Sequence, residues 1–412
     1  MKRNRKPFTD QIKQWVIESG ARNVKYIRPV RPALATGLVA AVYAQVATDF
    51  QVLPPLTVFS PAPRLLAGVW SVVRETLLVG PVPRIPKEVV ATAVSMSNTC
   101  TYCVDAHSLM LRGGLQHDTA IALVTAQPEN INDPLLRSLA NWAWKTRSPL
   151  DQDEVTQPFT VESAAQIIGT AVAFHFINRV VDVFLDRSAL SLPRPLYWAR
   201  GLMGKFAEHA FARRLVNMSP IPGRSLELVP YVSPSSSFPW AQSNPFVAAA
   251  FARLEAIVEE LGDRVVPADV RQLVSERIDH WDGEHMGMNR SWVERELRSL
   301  EEGSKAVGRL ALLTALSSYQ VDANIVEGSR ARLYDDDESL LGTVAWSAFA
   351  AARRVGSWLE APDPFNPRTG ELTIPPDTVS VSANFAADDA GNAYLAAADT
   401  RSRAHPISMR GD

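Results

Sequence analysis

Two stretches of this 412-residue chain share one layout, and that limits what the chain can fold into. "APRLLAGVWSVVRETLLVGPVPRIPKEVVATAV", from Ala62, and "NPFVAAAFARLEAIVEELGDRVVPADVRQLV", from Asn244, match in their punctuation. Pro63 to Gly80 has the spacing of Pro245 to Gly262, and Pro86 and Pro267 follow in turn. Later, "IIGTAVAFHFINRVVDVFL" is echoed by "LLGTVAWSAFAAARRVGSWL". Within the first copy Leu66, Val69, Val73 and Leu77 keep helical spacing as far as a glycine stop, and Pro86 suits the first turn of the next helix. Nearly every other periodic segment is also helical in length and spacing, and few runs alternate as strands do. The expectation is an all-α protein made of two fused helical modules of one kind.

Boundaries follow from composition. Residues 1–59 read as a basic N-terminal arm and helix, 60–187 as the first module, and 188–242 as a Pro/Ser-rich connector with one helix around Lys205 to Val216. Residues 243–359 read as the second module, and 360–412 as a weakly periodic C-terminal tail, poorly ordered or draped on a partner subunit. The segment "ESAAQIIGTAVAFHFINRVVDVFL" is apolar almost all round, as a central buried helix is.

A net charge of -2, with no zinc finger and no Gly-rich phosphate loop, argues against nucleic acid as a partner. The arm carries Lys2, Arg3, Arg5, Lys6 and Lys13 ahead of the apolar Ala33 to Ala47. That stretch lies too deep for a signal peptide and is too short to span a bilayer, so a packed helix with a solvated arm is expected in preference to a membrane-surface anchor. Two cysteines cannot build a disulfide framework; a Cys-x-x-Cys pair here points to catalysis or metal binding in a reducing, cytoplasmic compartment.

Both cysteines lie in "SNTCTYCVDAHSLMLRGG". Thr99 is expected to cap a helix beginning at the cysteines, so that Cys100 and Cys103 sit in its first turn, where free N–H groups and the dipole favour a thiolate. His107 shares a face with Cys103 one turn on, and the two sulfurs are near enough to form a disulfide once one of them is oxidised. Glu88, on the preceding helix, is the natural carboxylate to orient the imidazole; the plain alternative is a helix-start carboxylate pointing at water.

Glu88, Cys100, Cys103 and His107, within "KEVVATAVSMSNTCTYCVDAHSLMLRGG", resemble the E-x(11)-C-x-x-C-x-x-x-H signature of the AhpD-like alkylhydroperoxidases, in the carboxymuconolactone decarboxylase superfamily. The resemblance continues through "FHFINRVVDVFL" and more weakly through the second module, and leaves the arm, connector and tail unexplained. It implies an all-helical fold built round a helical hairpin, assembled into trimers or hexamers, and a peroxidase that uses no haem or metal cofactor. By position, Cys103 would attack the peroxide and become a sulfenic acid, Cys100 would resolve it to the disulfide, and Glu88 and His107 would relay the proton. The reductant in the family can be a lipoylated adaptor protein linked to a peroxiredoxin. Some AhpD proteins carry a histidine between the cysteines; Tyr102 stands there in this chain.

Other readings of the pair are a zinc site on Cys100, Cys103 and His107, two inert core thiols, a decarboxylase or lactone reaction as in the superfamily's namesake, and a redox-sensing scaffold. The second module has Trp281 and Glu284 about where cysteines would fall and Met288 near the histidine's place, so it cannot do thiol chemistry; an assembly of three chains would mimic a family hexamer with half its sites active. His175 could line the pocket with Phe174 and Asn178 or be a bonded core histidine. Arg179 could pair with Asp182 or Glu88, and Arg353 looks like its counterpart. "HWDGEH" reads as a solvated helix end and "YDDDES" as a polar helix start. Val94, Met96, Phe174 and Phe176 favour an organic hydroperoxide.

Overall fold

Helical periodicity becomes helix in space. A computed structural model describes residues 24–149, 157–186, 220–334 and 336–361, and among these every regular element is a helix; β pairing is confined to one isolated antiparallel bridge, Val24 to Leu185. The protein is all-α. The basic residues at the start of the arm, the connector helix expected around Lys205 to Val216 and the tail beyond residue 361 lie outside the described residues.

The long helices are α1 (Gly37–Asp49), α2 (Pro63–Val73), α3 (Arg84–Ser97), α4 (Thr101–Gly113), α5 (His117–Val124), α6 (Pro134–Lys145), α7 (Val161–Phe184), α8 (Pro245–Val265), α9 (Ala268–Asp279), α10 (Lys305–Ser317) and α11 (Asp337–Ser357). Their ends follow local chemistry. Proline opens α2, α6 and α8, where a missing N–H costs nothing. Asp133, Asn244 and Asp336 cap α6, α8 and α11 by accepting backbone N–H bonds, so "YDDDES" is indeed a polar helix start. From Gly37 on, the apolar stretch that begins at Ala33 lies in α1, which buries Val39, Val42, Tyr43 and Val46.

α7 is the axis of the core. Every residue from Ser163 to Val181 is buried. It is the one described helix long and apolar enough to cross a membrane, and 94% of its apolar window is covered by protein. Helices of like pattern pack on each other: α7 lies against α11, and α2 against α8. The glycine of each echoed "GT" pair makes room for a different neighbour, Gly169 for the segment after α2 and for α8, and Gly342 for α8. A Cβ on Gly169 would stand 2.8 Å from the Thr76 methyl, and one on Gly342 would stand 2.8 Å from Leu261 Cγ.

The two glycine stops differ from expectation. α2 ends at Val73 and passes through a π turn, Arg74–Leu78, before Gly80 turns the chain with φ +93°. α8 instead runs straight through Gly262 to Val265. Trp346 fills the space beside Gly262, where a Cβ would fall 2.2 Å from the indole, so this glycine serves packing and not termination.

Candidate active site

The chain between α3 and α4 decides where the reactive side chains meet. Thr99, in the left-handed region at φ 60°, is the turn residue that closes α3. Its N–H bonds to Met96 O at 2.9 Å while Cys100 N–H bonds to Ser95 O at 2.9 Å, the paired bonds of a Schellman ending. Cys100 then becomes the N-cap of α4, its carbonyl accepting Val104 N–H at 3.0 Å. Thr99 therefore does not cap α4 as the sequence suggested: its hydroxyl turns back to Asn98 O at 2.6 Å. Cys103 is left in the first turn, where backbone N–H groups lack helical partners.

This junction brings the thiols together. Cys100 and Cys103 are both reduced, both buried, and their sulfurs lie 3.0 Å apart with the Cys100 thiol donating. Burial, the bond to Cys103 and the charges of Cys103 and Asp182 push the Cys100 thiol well above its usual range, so it holds its proton. Tyr102, between them, is buried, and its hydroxyl is likewise pushed up, chiefly by burial.

One turn along α4, His107 Nδ1 lies 2.6 Å from Glu88 Oε2. Arg84, four residues before Glu88 on α3, donates to the other carboxylate oxygen at 2.5 Å. Glu88 is fully buried; burial pushes its carboxyl up, but Arg84 and then His107 outweigh that and hold it at about 2. The helix-start carboxylate pointing at water is thus ruled out. Phe174 of α7 meets the His107 ring edge-on, with centroids 4.6 Å apart at 87°.

Other residues singled out in the sequence fall as follows. His175 is a bonded core histidine: Nδ1 faces Asn98 Nδ2 at 3.1 Å and Nε2 faces Thr146 Oγ1 at 2.9 Å, and burial keeps it neutral. Arg179 does not reach Glu88. Its guanidinium donates to Ala315 O at 2.8 Å and His175 O at 2.5 Å, and Asp182 on the same helix offers it a compensating charge. Arg353 differs, bonding Glu255 and Glu259 on α8. In "HWDGEH", Glu284 pairs with Arg277 at 2.7 Å, while Trp281 is fully buried. The Arg147 and Arg179 guanidinium carbons lie 6.0 and 5.7 Å from its ring. Met288 stands exposed. Among the described residues no three His, Cys, Asp or Glu side chains gather as a metal site would require.

Three buried or bonded neighbours of these side chains escaped the sequence reading. Arg84 was legible in principle, since a base four residues before an acid on a helix pairs with it. Lys87, fully buried with Nζ donating to Val79 O at 2.9 Å and pushed down to about 7 chiefly by burial, carries no local sign that it is inside. Ser318 comes from the far half of the chain and donates to Asp182 at 2.7 Å.

The chain is 40% identical over 340 residues to an alkyl hydroperoxide reductase of Mycobacterium tuberculosis, a match that takes in 82% of this chain and 95% of that protein. It belongs to the AhpD-like alkylhydroperoxidase family. No family model matches the chain, and no solved structure matches it significantly. Membership makes this an alkylhydroperoxidase-like enzyme, an oxidoreductase of peroxidase type, and the four residues of the AhpD-like signature are carried by α3, α4 and the turn between them.

Proposed function

We propose that this AhpD-like protein reduces organic hydroperoxides through the Cys100–Cys103 dithiol. The observation that carries the reading is the thiol pair itself: two free, buried sulfurs 3.0 Å apart, with Cys100 donating to Cys103. Cys103, in the first turn of α4, is the nucleophile. His107 donates Nδ1–H to the Glu88 carboxylate, which leaves Nε2 to take the Cys103 proton, directly or through a water. The thiolate attacks the terminal peroxide oxygen, the O–O bond breaks, and the alcohol leaves with the proton returned by His107. Cys103 is then a sulfenic acid, which Cys100 condenses to a disulfide with loss of water. A dithiol donor re-reduces it; a lipoylated adaptor acting with a peroxiredoxin fits that role, in a reducing cytoplasm. The apolar ring of Phe174, set edge-on to His107, suits an organic rather than a strongly hydrophilic peroxide.

The second module, with Trp281 filling the place of a thiol site, serves as scaffold in this reading, and three chains associate to imitate a family hexamer. Light scattering showing a stable monomer would count against that assembly. The chemistry is tested by adding one equivalent of cumene hydroperoxide to the reduced protein. Two thiols should disappear with matched loss of peroxide. Cys103→Ser should abolish both, and Cys100→Ser should consume peroxide and stop at a lasting sulfenic acid. Glu88→Gln should slow the first step about 100-fold. Thiols that stay reduced would overturn the dithiol reading and favour a decarboxylase-like or redox-scaffold role.

A further inference from the structure

Two groups bear on the Cys100 thiol. One is the sulfur of Cys103 at 3.0 Å. The other is the carboxyl of Asp182 on α7, within hydrogen-bonding reach of the same thiol. Asp182 is partly buried and is held from its other side by the Ser318 hydroxyl, which donates to Oδ2 at 2.7 Å from the turn that follows α10. A carboxyl held in this way bears on the resolving sulfur and is not among the groups that set the charge of Glu88.

Its use comes one step later. When Cys103 has become a sulfenic acid its sulfur is an electrophile and no longer accepts the Cys100 proton. Cys100, whose thiol is held protonated by its surroundings, must lose that proton to attack. We propose that Asp182 is the base that takes the proton of Cys100 as its sulfur attacks the Cys103 sulfenic acid. This rests on the dithiol peroxidase reading. The Cys100–Cys103 S–S bond forms as the Cys103 S–O bond breaks. The oxygen leaves as water with one proton drawn from solvent, and Asp182 then releases its proton to solvent, so the step is balanced without a further reactant.

The groups facing Asp182 are Cys100 from the α3–α4 junction, Ser318 from the turn after α10, Arg179 from its own helix and Lys25 from the segment bridged to Leu185. Burial pushes the carboxyl up to about 6 against the bonds from Ser318 and Cys100 and the two cations. The ionised, proton-accepting form therefore grows as pH rises through about 6.

The test uses the full reduced chain in single turnover with one equivalent of cumene hydroperoxide, following peroxide loss, dimedone-trapped sulfenic acid and disulfide separately from pH 4.5 to 8. In the unsubstituted protein, disulfide formation should rise up to tenfold per pH unit below about 6 and level above it. Asp182→Asn should leave peroxide loss unchanged, slow disulfide formation about 100-fold and abolish the pH limb, with Asp182→Glu restoring part of the rate and the limb. Ser318→Ala, a milder change, should move the limb to higher pH and keep its plateau, and it decides the matter if Asp182→Asn does not fold. Disulfide formation at the original rate with the original limb in Asp182→Asn, or an unmoved limb in Ser318→Ala, would overturn the role of Asp182 and leave the dithiol reading standing. Absence of any sulfenic acid in Cys100→Ser would overturn both.

Discussion

Glu88 is fully buried and shares its charge with Arg84 and His107, and its ionisation is therefore tied to folding. Its folded value, about 2, lies below its ordinary 4.5, so the stabilisation is complete above about 4.5 and drains away as pH falls toward 2. The full difference is on the order of 3 kcal/mol. Urea unfolding at pH 7 and pH 3 should show a loss in the unsubstituted protein that Glu88→Gln, already destabilised at pH 7, largely lacks; equal losses in the two would refute the coupling. Arg84→Met should destabilise strongly at pH 7, because it leaves the carboxylate buried with His107 alone.

At the scale of elements, the α3–α4 turn sets the thiol geometry at a local cost. A β-branched residue in the left-handed region is strained by roughly 1–2 kcal/mol, and Thr99 is exposed, with its hydroxyl bonded only to its neighbour's carbonyl. Thr99→Gly should raise stability by about 0.5–1 kcal/mol once the extra freedom of glycine in the unfolded chain is subtracted, read as a higher urea midpoint with unchanged slope. A fall in midpoint would mean that the turn is not strained. The π turn at Arg74–Leu78 belongs to the same scale. It buries Arg74 between Asp49 at 2.7 Å and Glu75 at 2.8 Å, while Glu75 also accepts from Ser225 and from Gly223 N–H, tying the end of α2 to the segment before α8.

Across the whole molecule the two halves share one hydrophobic core. Trp281 lies where they meet, beside Arg147 and Arg179 of the first half and with its ring 5.9 Å from that of Trp358. Trp281→Ala should cost about 3–5 kcal/mol and lower the unfolding of both halves together. Hydrogen exchange would check this: protection should fall in α3 and α7 as well as in α9 and α11, and loss confined to α9 and α11 would show that the halves are energetically separate. The matched Pro, Gly and "GT" positions were legible in sequence, because helix ends and close helix contacts demand those residue types. The differing fates of Gly80 and Gly262 were not, since one glycine turns the chain and the other makes room for Trp346, and the same letter serves both.

Local chemistry in the sequence determined the helices, most of their ends, the three- and four-residue steps from Cys100 to Cys103 to His107 along α4, and the family signature with Glu88. Each depends on residues close along the chain, where helical period and spacing already state who neighbours whom. Only the tertiary structure decided that Lys87 is inside and that Ser318 donates to Asp182. Burial and the charges that shift a pKa come from elements far apart in sequence, Ser318 lying 136 positions from Asp182, and no local pattern encodes what the folded chain will place around a side chain.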